Sequence, residues 1–106
     1  MQDLIDILKE IGLEEKEATI YLTLLTVGCN PASTVAKKIG QNRSSCYMML
    51  EKLIQKGFVQ KIIKDSITFF EAVEINYLIS RTKAKYGETL NRIEQMRDTV
   101  NRLNKI

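Results

Sequence analysis

The segment from Asn30 to Gly57 is the most constraining part of this chain, because it must turn sharply at Gly40. Asn30–Pro31 is a helix start, with Asn at the N-cap and Pro at the first helical position. Val35, Ala36 and Ile39 then fall on one helical face. Gly40 suits the left-handed residue that ends a helix. A second helix starts within three residues. Asn42 is its expected N-cap, and Cys46, Leu50 and Leu53 form its buried stripe. Gly57 closes it. Two helices joined this tightly make a helix-turn-helix.

The flanks complete the pattern. Leu4, Ile7, Leu8 and Ile11 have helical spacing, and Gly12 stops that run. Ala18, Tyr21, Leu22 and Leu25 repeat the period over residues 14–27, with Glu14, Glu15 and Glu17 at the positive end of the helix dipole. After Gly57, the β-rich runs 58–63 and 67–73 flank a polar Lys-Asp-Ser, as in a hairpin. From Glu74 the helical period runs to the end, about 45 Å at 1.5 Å per residue. In a heptad frame Ile79, Tyr86, Ile93 and Val100 take one seam position, and Thr82, Thr89, Met96 and Leu103 the other. Leu90 widens the stripe, and Gly87 marks a bend or a close helix approach. A seam of that length needs a surface to cover it. Pairing with a second copy is the simplest solution. The alternative folds the helix back onto its own domain. The expected fold is mainly α with a small β-hairpin: a winged helix-turn-helix domain over residues 1–73, then a long C-terminal dimerisation helix over 74–106.

Chemistry is constrained by what is missing. The 106 residues include no histidine and two cysteines, Cys29 and Cys46. A Ser–His–Asp triad or a Cys–His pair is therefore excluded, and a zinc site lacks ligands. No glycine-rich phosphate loop occurs among the five glycines. Enzymatic activity and a cofactor are not expected, and both cysteines are read as packing residues. No apolar run is long enough to span a membrane, and the N-terminus lacks a signal-peptide pattern. A cytoplasmic location is expected. The net charge of +3 is unevenly spread. Residues 30–64 hold Lys37, Lys38, Arg43, Lys52, Lys56, Lys61 and Lys64 against Glu51 alone. Such a basic segment suits a polyanion, or is simply a solvated face.

Several stretches resemble the N-terminal DNA-binding domain of the TrmB family of archaeal and bacterial transcriptional regulators. They are Ile11–Gly28 with its IGL, EA and YL residues, Ala32–Gly40, Arg43–Val59 with its Tyr, Leu and Lys-Gly spacing, and Phe70–Val73. The resemblance covers roughly residues 8–75, and MarR-like and ArsR-like regulators share much of it. It implies sequence-specific binding of double-stranded DNA as a homodimer. Residues 31–39 would be the positioning helix, 43–56 the recognition helix and 60–69 the wing. Glu14 stands where the family usually has a serine or threonine cap, which weakens that cap. A proline usual after the Ala-Val is replaced by Glu74 and Ile75, which lets the last helix begin without a break. Larger members add a C-terminal sugar-binding domain that these residues do not match, so neither sugar sensing nor another small-molecule ligand is expected.

With Cys46, Leu50 and Leu53 inward, Arg43, Ser44, Tyr47, Met48 and Lys52 remain for a DNA groove. Arg43 suits a guanine edge. Ser44 and Ser45 permit close approach. Gln41 and Asn42 suit adenine or phosphate, although Asn42 is favoured as a cap. Tyr47 is left open between partial packing and a phosphate contact. Lys37, Lys38, Lys61 and Lys64 flank the recognition helix. Ile79, Tyr86, Leu90, Ile93, Met96, Val100 and Leu103 are the expected dimer seam. A protein-interaction module that joins a partner through the last helix is the competing reading.

Overall fold

The computed structural model describes residues 2–82 and 87–105, apart from the side chains of residues 82 and 88–90. Among these residues the first four helices and the hairpin follow in the expected order, and two helices stand where one was expected. The elements are α1 (Gln2–Glu10), α2 (Glu15–Val27), α3 (Ala32–Ile39), α4 (Arg43–Lys56), β1 (Val59–Lys64), β2 (Ile67–Ala72), α5 (Ile75–Thr82) and α6 (Gly87–Asn104).

The helix ends show why the chain turns where it does. Gly40 has φ 71°, and its N–H returns to the Ala36 carbonyl. Asn42 takes the N-cap of α4, its side-chain oxygen accepting from Ser45 N at 2.8 Å. Gly57 has φ 84°, and a Cβ there would collide with the Arg81 guanidinium. Arg81 needs that space: it donates to the Gly57 carbonyl at 2.7 Å and stacks on the Phe58 ring. The α3 start differs from expectation. Pro31 holds the cap position, its carbonyl accepting from Thr34 N and Val35 N. Asn30 is occupied otherwise: its backbone exchanges two hydrogen bonds with Phe70, at 3.1 and 2.8 Å. That pairing fastens the loop before α3 to the wing.

The hairpin is antiparallel, pairing Val59 with Ala72 through to Lys64 with Ile67. Asp65 and Ser66 form its two-residue turn, both with positive φ (53° and 65°). This is the geometry of a type I′ turn, whose twist matches that of the flanking strands.

Cys46, Leu50 and Leu53 are fully buried, as their spacing predicts. Helix α2 is more enclosed than its period implies. Ile20 and Leu24 are buried in addition to Ala18, Tyr21 and Leu22. An apolar surface on all sides is what a central helix needs. Tyr21 packs edge-on against Phe58 and donates its hydroxyl to the Val73 carbonyl at 2.9 Å. Burial pushes its pKa well above the usual phenol value. Glu14 serves as N-cap of α2, and its N–H is bound by the Glu17 carboxylate at 2.8 Å.

The C-terminal region departs most from the expected single helix. The described residues form two helices, and Gly87 opens the second. Arg97 on α6 donates to the Asn76 side chain on α5 at 2.8 Å, which runs α6 back along α5. Arg92 pairs with Glu10 of α1, and Asn104 reaches the Leu25 carbonyl of α2. Ile93, Met96 and Val100, expected on an uncovered seam, are buried in the same core as α1, α2 and α4. The fold-back alternative is thus what this structure adopts: the domain's own helices cover the stripe. Ile79 is partly buried against that core, and Leu103 is exposed. Tyr86 and the Leu90 side chain lie outside the described residues.

Candidate nucleic-acid interface

Helical geometry sorts the rest of α4 once its inner stripe is fixed. Ser44, Met48 and Lys52 recur every four residues along an exposed outer row. Arg43, Tyr47 and Glu51 form a second row on the side of the wing. Between that row and the wing lies a cleft of about 820 Å³. Arg43, Ser44 and Tyr47 line one wall, and Ser66, Ile67 and Thr68 the other. Ser33, at the start of α3, lies at its end with Pro31 and Ala32.

The α4 N-terminus is positively charged. Its first turn holds no acidic residue, whereas α2 opens with Glu15 and Glu17. Arg43 adds positive charge at the positive end of the dipole, which disfavours the helix slightly and leaves that end open to an anion.

Tyr47 is packed in part. Its ring stands edge-on to Phe70 at 5.6 Å, the Lys61 ammonium lies over it at 5.7 Å, and the residue keeps 36% of its surface exposed. Lys61 also forms an ion pair with Glu51 at 2.6 Å. The hydrogen bond between them holds the Glu51 carboxyl below its usual range and the Lys61 amine above its own. The wing is thereby latched to α4 by a carboxylate on an otherwise basic face. Gln41 is half-buried, and its side-chain oxygen is enclosed without a hydrogen-bond partner. The Asn42 oxygen is occupied by its cap, and Ser45 is half-buried. Lys37 and Lys38 are exposed in the last turn of α3, where cations suit the helix dipole. Lys64 is exposed beside the hairpin turn. Lys56 is turned away from this face and paired with Glu17 at 2.6 Å.

The structure therefore brings Arg43, Ser44 and Tyr47 to one cleft, with Lys61 beside it over the Tyr47 ring. Ser33, Glu51, Ser66, Ile67 and Thr68 are additions that sequence reasoning missed. A period of four would have placed Glu51 beside Tyr47. No sequence signal says which helix row a wing leans on. Cys29 corrects the packing reading, since it is exposed, while Cys46 is buried. Partial desolvation and then the charge of Glu71 push the Cys29 thiol up, and burial does the same for Cys46. Among the described residues no three His, Cys, Asp or Glu side chains could hold a metal ion, and no helix is long and apolar enough to cross a membrane.

A tight helix turn, a second helix with its N-terminal end exposed and a hairpin leaning on it together define a winged helix-turn-helix protein. The family is set by the sequence: residues 8–76 match the model described as "Sugar-specific transcriptional regulator TrmB", and the chain belongs to that family. One relative is the HTH-type sugar sensing transcriptional regulator TrmBL1 of Pyrococcus furiosus. It is 36% identical over 58 residues, which are 55% of this chain and 17% of that protein. Another is the uncharacterized protein YrhO of Bacillus subtilis, 40% identical over 58 residues and 21% of its length. The chain thus matches about a fifth of each relative. Among solved structures, disulfide-formed AbfR superposes with a TM-score of 0.61 at 16% identity, over 99% of this chain and 82% of that one. Reduced AbfR bound to DNA gives 0.61 at 19% identity, over 96% and 82%. At such identities the likeness is one of fold.

Proposed function

We propose that this protein is a transcriptional regulator that binds double-stranded DNA as a homodimer. The N-terminal half of α4 enters the major groove, and the wing lies on the backbone or in the minor groove. One observation carries the reading: the α4 N-terminus presents Arg43 and Ser44 into an open cleft and has no acidic residue in its first turn. Membership of a regulator family and likeness in fold to a protein solved on DNA support it. Homodimerisation involves α5 and α6, where, among the described residues, Tyr77 and Leu103 are large apolar side chains still exposed.

Fluorescence anisotropy against duplex DNA tests the reading. Affinity falls steeply as salt rises, because each neutralised phosphate contributes a slope of about −0.9 in log K against log salt. Absence of binding at about 50 mM salt, to DNA selected from a random pool, would sink it.

The Glu51–Lys61 latch gives a further expected result. Glu51→Gln removes a carboxylate from the face that meets phosphate and frees Lys61. Affinity for any duplex should rise roughly two- to fivefold at low salt and converge with wild type at high salt. Unchanged or weaker binding at low salt would show that the latch holds the wing in place rather than screening the cleft.

A further inference from the structure

Two large apolar side chains stand exposed on either side of the turn of the wing, where a DNA-contacting hairpin would be expected to carry only polar groups. Ile63 is 71% exposed and Ile67 50% exposed. Cross-strand packing does not explain them. Ile62 sits opposite Phe69, but Ile63 faces Thr68 and Ile67 faces Lys64. Alternation along β1 puts Ile63 on the strand face of Lys61, which meets α4, and Ile67 lines the cleft with Arg43. The charges nearby nearly cancel: Lys64 and Asp65 are adjacent at the turn, and Lys61 is held by Glu51.

We infer that Ile63 and Ile67 are DNA-contacting residues, packing against the deoxyribose walls of the minor groove beside the one that α4 enters. This rests on the reading that α4 docks in the major groove. The occupant follows from the surroundings. Ile67 lines the cleft with Arg43 and Ser44, Ile63 stands beside the turn on the opposite face of the hairpin, and the exposed charges of Arg43 and Lys64 against Asp65 leave a net positive edge that suits a polyanion. Within a duplex, the apolar surface offered to such a tip is the sugar edge of the minor groove, where aliphatic side chains make wedge contacts. Apolar contact grows as the groove narrows, so the tip favours A·T-rich flanks, whose minor groove is narrow. The two isoleucines would then read groove width through shape, while Lys64 supplies the wing's charge contact.

The test compares wild type with an Ile63→Thr/Ile67→Thr variant on a fluorescein-labelled duplex carrying the selected site, with A·T-rich or G·C-rich flanks. Threonine keeps the β-branch and the strand propensity. Circular dichroism melting of both proteins and a Lys64→Ala control accompany the titrations. The variant should bind about tenfold more weakly and lose its flank preference. Its salt slope should match wild type, because no counterion is exchanged at an aliphatic contact, whereas Lys64→Ala loses about one unit of slope. Binding within about twofold of wild type overturns the inference and leaves the DNA-binding reading intact. So does a weakened variant whose salt slope also falls, since the wing would then have moved as a body. If the melting curve shifts, single Ile63→Val and Ile67→Val variants replace the pair, and the unchanged slope with reduced flank preference remains the required result. No binding by the wild type overturns both readings.

Discussion

Lys56→Ala lowers the stability of this fold by about 3 kcal/mol. The reason lies in Glu17, which has no exposed surface. One carboxylate oxygen accepts from Lys56 Nζ at 2.6 Å and from Glu14 N at 2.8 Å. The other is enclosed without a hydrogen-bond partner. Removing Lys56 leaves a buried carboxylate with a single backbone donor, the situation in which breaking an ion pair costs most. Lys56 is itself partly exposed, which places the effect toward the lower end of that range. It is still a large part of the roughly 5–15 kcal/mol that holds a domain together. Lys56 also donates to the Gly12 carbonyl at 3.1 Å, so the bridge sets how the end of α4 sits on α2. Adding Glu17→Gln to Lys56→Ala should recover more than half the loss, because the amide removes the charge and can still accept from Glu14 N. Urea unfolding of the four proteins in the double-mutant cycle measures this. A Lys56→Ala midpoint close to wild type would show that water already solvates Glu17.

Arg43→Ala has the opposite signature, harming binding while sparing the fold. Arg43 is exposed at the positive end of α4, so alanine is neutral or slightly stabilising there. On DNA it removes the side chain best suited to a bidentate contact with a guanine. Discrimination at one base position should drop by about 1–3 kcal/mol, roughly 5- to 150-fold. Lys64→Ala should instead weaken all sequences alike. Selection of bound DNA with each variant separates the two. Equal loss across sequences for Arg43→Ala would reassign Arg43 to phosphate.

The candidate site was legible only in part. Arg43 and Ser44 follow from subtraction: once the inner stripe is assigned by its period, they are what faces out. The same subtraction fails for Gln41, whose side chain turns inward, and for Lys61, whose charge is taken by Glu51. Neither outcome has a local cause. Gln41 precedes the helix cap, so no helical row dictates its direction. Lys61 meets Glu51 because of how the hairpin leans. Glu17 shows the same limit: its place in the first turn suited a helix dipole, yet it is bound by a lysine 39 residues away.

The order of the first four helices and the hairpin, the helix ends at Gly40, Asn42 and Gly57, and the inner face of α4 were determined by the sequence itself. A left-handed glycine at 40 or 57, an Asn cap at 42 and the period of Cys46, Leu50 and Leu53 act over a single turn of chain. Tertiary structure alone decided which distant surfaces meet. The apolar stripe of Ile93, Met96 and Val100 demanded a cover, but a second copy and the chain's own α1, α2 and α5 both satisfy that demand. Periodicity records that a face must leave water; it carries no address for the surface that receives it. In this chain the fold-back at α6 answers that question, and the lean of the wing on α4 answers it for the cleft.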